Sequence, residues 1–435
     1  MITDFIKRNS LTSLIFLFSL ILLNGVGVTL PIPNLEIIGR QYDFPLIGIV
    51  EAFFIIFSMV ALVVWGYLVD KFDRRQILLM ANVIWLIPAA IIFFFPDSLL
   101  IYFIGRLIMA IGLAAFSPLS YSIIADFAHY EDRGTISAGL NLAWVGSSAV
   151  GIILGASFTA NWYYSFGVLA FLGLILFCWQ FLVKIPIRGV KEPAFSDIAD
   201  YQYPWRINFR IIPKAFQTRS FFWLLTQGIF ALVPGTVFTY WLVSFLASSE
   251  GMAISIEQAS LISIIVASGR APGYLFFGKL GDILTSKYAN SAIRAKIAGL
   301  GMASQAMFFF GAFYMLNSSL YNQLVFACLF WIGSFVGAAS GPNRTSLLFN
   351  ISLPEFRGTL GSLYSLTDHL GAALGVFVST FFLQFLNYSS VFRISLLFYL
   401  IAALCWFRSI KHISIDEGKI NEILHSRAKE IMLKK

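Results

Sequence analysis

Residues 11–32, LTSLIFLFSLILLNGVGVTLPI, form the first of about twelve apolar runs, each close to twenty residues long. At 1.5 Å per residue, about twenty helical residues cross a hydrocarbon layer of about 30 Å, and a water-soluble core has no use for so many such runs. They are continuous and do not alternate apolar with polar, so the expectation is a helical membrane protein and not a barrel. The spans fall roughly at 11–32, 45–69, 77–95, 98–125, 135–159, 163–184, 219–247, 257–281, 296–316, 322–350, 358–384 and 390–409. The first run follows Lys7 and Arg8, but it is too long for a signal-peptide core and lacks a small-x-small cleavage site, so it reads as a retained helix. Composition agrees: 58% of the 435 residues are hydrophobic and 12% charged, with a mean hydropathy of +0.81.

The net charge of +8 would suit a nucleic-acid partner, but its distribution excludes that reading. With loops assigned by alternation, about twenty-five Lys and Arg lie on the amino-terminal side, and only Arg40 and Arg393 lie opposite. An even number of spans then makes both termini cytoplasmic in a multi-pass protein of the cell membrane. Cys178, Cys328 and Cys405 sit in apolar runs without metal or disulfide spacing and read as small core residues.

The chain is duplicated. FSPLSYSIIADFAHYEDRGT (116–135) aligns without gaps on SGPNRTSLLFNISLPEFRGT (340–359), matching Pro118 to Pro342, Glu131 to Glu355 and Arg133-Gly134-Thr135 to Arg357-Gly358-Thr359. GYLVD (66–70) pairs with GKLGD (278–282), each at the cytoplasmic end of the second span of its half. The expected organisation is an amino-terminal six-helix bundle (1–184), a polar cytoplasmic linker (185–218), a second six-helix bundle (219–411) and a cytoplasmic tail (412–435) that lies on the leaflet or is solvated. Parallel duplicated bundles place a binding site between the halves near the midplane.

GYLVDKFDRR (66–75) resembles the loop between the second and third helices of the major facilitator superfamily, with Gly66, Leu68, Asp70, Lys71, Arg74 and Arg75 matching and Asp73 in place of the usual Gly. RLIMAIG (106–112) resembles its fourth-helix pattern, and Arg133-Gly134 and Arg357-Gly358 resemble its loop arginines. The resemblance covers nearly the whole chain and implies an all-α fold of twelve transmembrane helices in two pseudo-symmetric bundles, working by alternating access. In that fold the second, fifth, eighth and eleventh helices meet across the interface, and the first, fourth, seventh and tenth line the cavity. It implies gating by Gly66, Asp70, Arg74, Arg75, Arg133, Asp282 and Arg357, with Asp70 pairing with a base across the cytoplasmic mouth. LPIPNLE, PLSYSIIADF and NWYYSFGVLAFLGL further resemble the Spinster branch, associated with lysophospholipids and sphingosine phosphate. After Asn24, where that branch tends to carry an acid-base pair, this chain has Gly25-Val26-Gly27-Val28, so acid-dependent coupling is not carried over to that helix. The fifth span also lacks the Gly-Pro pair expected of a drug-proton antiporter.

Charges inside spans are costly against lipid and usually face a cavity or a partner. Arg270 stands twelve residues, about 18 Å, before Asp282, and Arg344 and Asp368 lie at comparable depth about Arg357. Arg270 and Arg344 suit bidentate contact with a phosphate or carboxylate, and Asp368 suits a protonatable switch. The alternative is a structural Arg270–Asp368 pair. His369 is a further candidate for proton coupling, or else a packing or interhelical hydrogen-bond residue; it projects about 100° from Asp368, so the two are not expected to face one spot. Glu51 is a shallower candidate for proton coupling, and Asn24, Tyr240, Trp241 and Trp331 are candidates for substrate contact. Helix breaks are expected at Gly25, Gly27 and Pro31, at Pro118, at Pro234-Gly235 and at Gly341-Pro342. The repeat places Asp368-His369 opposite Trp144-Val145, so the acid is a departure from the duplicated scaffold.

No Walker loop, GxSxG elbow or His/Cys metal spacing occurs, so neither an enzyme nor a cofactor is expected. The expected protein is a monomeric secondary transporter in the bilayer, moving an organic anion or lysophospholipid-like amphiphile with a proton or another coupling ion. Two alternatives stand: a facilitator or effluxer of neutral metabolites or drugs with structural charges, and a non-transporting membrane sensor.

Overall fold

The computed structural model describes residues 2–44, 47–196, 198, 203–207, 218–315 and 320–433. The start of the second expected span, the end of the ninth, most of the linker's centre (197, 199–202 and 208–217) and the last two tail residues lie outside the described residues. The helices are α1 (Ile2–Thr29), α2 (Leu35–Gln41), α3 (Gly48–Lys71), α4 (Arg74–Phe94), α5 (Leu99–Ala114), α6 (Phe116–Ile124), α7 (Arg133–Ala156), α8 (Tyr163–Trp179), α9 (Arg219–Ala247), α10 (Ile256–Ser268), α11 (Arg270–Tyr288), α12 (Ala292–Met315), α13 (Leu320–Gly337), α14 (Ser340–Asn350), α15 (Arg357–Phe382) and α16 (Tyr388–Leu433). Taking α5–α6, α10–α11 and α13–α14 as broken single spans gives twelve crossings in two sets of six. Among the described residues ten qualify as crossings outright by length and apolarity, while α8 is shorter. The remaining span, α15, carries the polar run from Arg357 to Asp368.

Proline decides where the spans break. Its ring displaces the carbonyl four residues upstream and removes one helical N–H. α5 ends at Ala114, four residues before Pro118; α10 ends at Ser268, four before Pro272; α13 gives way to α14 just before Pro342. Two expectations are corrected by the same geometry. α9 runs unbroken through Pro234-Gly235, and α1 runs through Gly25 and Gly27 to Thr29, ending before Pro31. The break in the eighth span, at Pro272, was not among the expected ones.

We call the face that holds the chain ends the base, and the opposite face the mouth. Across the interface α3 packs on α15, α7 on α11 and α14, and α6 on α15. Glycine permits the two symmetric crossings: a Cβ on Gly134 would stand 2.4 Å from the Gly278 carbonyl oxygen, and one on Gly66 would stand 2.1 Å from Ser362 Oγ. Twelve residues toward the mouth from Gly134, a Cβ on Gly146 would meet nothing within 4 Å. The halves are therefore joined at the base and part above it. On the mouth side the second half is held by stacked phenylalanines, among them Phe309 on Phe330 at 3.9 Å and Phe313 on Phe392 at 5.1 Å.

The tail is neither afloat nor separate. The last span and the tail form one helix, α16, 46 residues and about 69 Å long without a break. Its buried positions Ile413, Asp416, Glu417, Ile420, Leu424, Ala428 and Ile431 recur at three- and four-residue spacing, a stripe packed beneath the base. Tyr130 of the first half donates to Glu417 at 2.7 Å, Ser291 of the second half donates to the same carboxylate, and Arg427 pairs with Glu355 at 2.7 Å.

Candidate functional site

A cavity of about 560 Å³ lies between the halves above the base. The first half contributes Ser117, Tyr121, Asn141, Trp144 and Val145; the second contributes Gln227, Tyr240, Arg270, Tyr274, Gln305, Arg344, Asp368, His369 and Tyr399. One wall is thus largely aromatic and aliphatic, and the facing wall holds all the charge. The repeat-related pairs Trp144-Val145 and Asp368-His369 both line it, from opposite sides.

The arginines are not equivalent. Arg344 Nη1 donates to Asp368 Oδ1 at 2.6 Å, and its guanidinium lies 3.5 Å from the Tyr364 ring centroid. Gly228 of α9 makes room for this pair, since a Cβ there would come within 2.1 Å of Arg344 Nη2. Arg270 has no carboxylate partner among the described residues and lies beside the phenols of Tyr274 and Tyr399. The structural pair weighed from the sequence, Arg270 with Asp368, is corrected to Arg344 with Asp368. The prolines set these positions: Arg270 opens α11 at the Pro272 break, and Arg344 sits in the first turn after Pro342. Two guanidiniums against one carboxylate leave the cavity one net positive charge.

His369 also lines the cavity, which is wide enough to take in neighbouring faces of α15, contrary to the expectation from helical projection. Its Nδ1 is 2.7 Å from the Ser365 carbonyl oxygen, which only accepts, so Nδ1 carries the proton in that contact. Of the other expected contacts, Tyr240 lines the cavity and three residues stand outside it. Trp241 Nε1 donates to Ser379 Oγ at 2.9 Å, Trp331 Nε1 donates to Ser268 Oγ at 3.2 Å, and Asn24 donates to the Leu113 carbonyl between α1 and α5. Glu51 also lies outside the lining and is engaged by Arg106, whose Nη2 is 2.5 Å from Oε2 and whose Nε donates to Oε1 at 3.0 Å. Arg106 Nη1 donates to the Gly27 carbonyl at 2.9 Å, so this pair ties α1, α3 and α5 together.

At the base, Asp70 accepts from the amides of Gly358 and Thr359 at 2.9 and 2.6 Å. Asp282 accepts from those of Gly134 and Thr135 at 2.7 and 2.8 Å. Each carboxylate of one half caps the first turn of a helix of the other, where unpaired N–H groups and the helix dipole favour an anion. The expected partner of Asp70, a base, is only secondary: Arg188 Nη1 is 3.8 Å from it. Asp282 also pairs with Arg294 at 2.6 Å. Arg133 donates to Asn350 at 2.6 Å and Arg357 to Asp126 at 3.4 Å, a crosswise arrangement that follows the repeat, since Asp126 aligns with Asn350. Glu192 of the linker binds both arginines, Arg133 at 2.5 Å and Arg357. Arg74 pairs with Asp126 at 2.6 Å, whereas Arg75 is exposed and donates to the Phe181 carbonyl at 3.0 Å. Sequence reasoning missed Glu192, Asp126 and Arg294. The gap-free repeat carried a signal for Asp126, whereas Glu192 has no repeat partner and no motif around it.

A fold of two related six-helix halves, closed over one end of a central cavity, defines a membrane transporter. The family model of the Major Facilitator Superfamily matches residues 17–321, and the chain belongs to that superfamily. It is 24% identical over 344 residues to Protein spinster homolog 3 of Danio rerio, across 74% of this chain and 66% of that protein. It is 23% identical over 337 residues to the Sphingosine-1-phosphate transporter SPNS2 of the same fish, across 74% of this chain and 65% of that one. The match thus spans about two thirds of the length of these relatives. A solved structure of the proton:xylose symporter XylE, bound to 6-bromo-6-deoxy-D-glucose, superposes with a TM-score of 0.68 at 18% identity, covering 92% of this chain and 96% of that one.

Proposed function

We propose that this transporter moves an organic anion or an amphiphile with an anionic head, in exchange for or together with a proton. One observation carries the reading: Arg270 presents a guanidinium to the cavity without a carboxylate to neutralise it. A guanidinium withdrawn from bulk water costs free energy until an anion meets it, and its planar fork suits a phosphate or carboxylate. The wall around Trp144 and Val145 offers an apolar surface to the rest of such a molecule, and such a cargo is in keeping with the likeness to a sphingosine-1-phosphate transporter.

Asp368 is the coupling group in this reading. An anion that engages Arg344 competes with Asp368 for the same guanidinium, which links cargo to the coupling group. With basic loops cytoplasmic, the base faces the cytoplasm, and the described conformation is the outward-facing one, in the cell membrane with both termini inside. The rival reading, a neutral cargo, draws on the Arg344–Asp368 pair, which needs no ligand to balance it.

Binding to purified protein decides between them. Arg270→Ala should weaken an anionic lysolipid by about tenfold to a hundredfold, the loss of one charge-assisted contact, and leave a neutral monoacylglycerol within about twofold. Equal losses for the two ligands would overturn the anion reading.

A further inference from the structure

A second cavity, of about 610 Å³, opens at the base, between the α3–α4 loop and two stretches at and within the linker, 184–188 and 203–206. Its wall carries five cations, Arg74, Arg75, Lys184, Arg188 and Arg206, and one acid, Asp73. That acid is already engaged, accepting from the amides of Arg75 and Gln76 as the N-cap of α4. Arg74 and Arg188 form a buried floor, and Arg75, Lys184 and Arg206 stand exposed above them.

The floor cations share their counter-charges with other groups. Asp126, the partner of Arg74, also receives Arg357 and the Gly189 amide, and Asp70 faces Arg188 at 3.8 Å while bound to two amides of α15. Arg188 Nη1 and Nη2 are spent on the carbonyls of Asp70 and Val69, and its buried Nε has no partner among the described residues. Burial and the neighbouring Arg74 and Arg206 charges push the Arg188 guanidinium down to about 10, although Asp70 partly counters them. Lys184 and Arg206 have no carboxylate within salt-bridge distance among the described residues. Among the described residues the pocket is therefore a concave concentration of positive charge that is not balanced locally.

We propose that this pocket binds a phosphate-bearing anion, the headgroup of an anionic phospholipid of the leaflet at the base. Arg and Lys side chains converging from a loop and a linker match a group with several acceptor oxygens. Two residues of the lining are apolar and exposed, Phe72 and Ile187. Such a rim takes up the glycerol and acyl portion of a lipid, and free phosphate makes no use of it. The site is separate from the central cavity, with which it shares no lining residue.

The test titrates the full-length protein in an Arg270→Ala background, so that the central cavity is not read out. The probes are short-chain soluble phosphatidylglycerol, short-chain phosphatidylcholine and inorganic phosphate, with the rise in melting temperature as the measurement. Phosphatidylglycerol should bind saturably and phosphatidylcholine should not. Removing Lys184 and Arg206 together, K184A with R206A, should weaken phosphatidylglycerol by about thirtyfold, at about fivefold per cation. Both are exposed and outside the helix interface, so the fold is retained. The charge-matched control, K287A with K411A, should shift binding by less than about twofold, because those lysines lie outside the pocket. Phosphate that displaces the lipid with equal affinity would keep the pocket and replace its occupant with free phosphate. Absence of saturable binding by either anion, or an equal loss in the control, would overturn the proposal.

Discussion

Glu192→Gln should unlatch the base. The Glu192 carboxylate is buried between Arg133 and Arg357, one from each half, and holds both. Glutamine keeps the shape and removes the charge, leaving Arg133 with the neutral Asn350 and Arg357 with Asp126 at 3.4 Å and the Phe349 carbonyl at 3.0 Å. Two charge-assisted contacts at about 1.5 kcal/mol each amount to about 3 kcal/mol, felt where the groups are buried and relieved once the base opens and they hydrate. The base-open population should therefore rise about 150-fold relative to base-closed. Spin labels on Lys71→Cys and Lys287→Cys, one on each half, in a variant whose three native cysteines are replaced by serine, report that distance distribution. A change of less than about threefold would refute the latch. The pH response supplies a second check. Burial opposes ionisation of Glu192, but the Arg133 and Arg357 charges outweigh it and hold the carboxyl below its ordinary range. A depressed value means that the stabilisation is complete above the hydrated pKa of about 4.3 and is lost only as pH falls through the depressed one. Base closure due to this residue should thus stay flat from about pH 5 to pH 8.

Gly278→Ala puts a Cβ 2.7 Å from the Gly134 carbonyl oxygen and 3.0 Å from Ala138 Cβ, so the same labels should show a shift toward base-open of about tenfold, for a strain of about 1–3 kcal/mol; unchanged distances would contradict the tight crossing. Glu51→Gln strips Arg106 of its buried counter-charge, at a cost of about 3–5 kcal/mol, and should lower Tm markedly while the pH dependence of residual transport is kept; an intact Tm with a lost pH dependence would make Glu51 the coupling group instead. Asp368→Asn should abolish accumulation driven by a pH gradient in proteoliposomes while leaving counterflow exchange; accumulation that survives unchanged would sink the switch.

Much of the architecture was legible because it follows from local and repeated features. The apolar runs gave the crossings by length alone, and the two GxLxD and RGT copies marked the residues that interlock α3 with α15 and α11 with α7. Motif matching left the nature of the interlock unread, since a carboxylate capping a helix of the other half involves backbone amides that carry no sequence signal. The breaks were half legible: Pro118, Pro272 and Pro342 break their spans, while Pro88 and Pro234 are absorbed into α4 and α9. Neighbouring helices re-satisfy a freed backbone group in some places and not in others, which one chain segment does not record.

The sequence by itself determined that this chain crosses a membrane many times, that its halves are copies, and that unusual charges sit deep in the second copy. Those conclusions rest on hydrophobic free energy and helical rise, which are set residue by residue. Only the tertiary structure decided which charges meet. Several bases are possible partners for Asp368, and the placing of α14 beside α15, with room left by Gly228 of α9, gave it to Arg344 and left Arg270 facing the cavity. Likewise the distant arginines 133 and 357 share Glu192 because the linker threads between them. An ion pair between helices depends on angles and translations of whole segments, a property of the packed bundle that no spacing along the chain encodes.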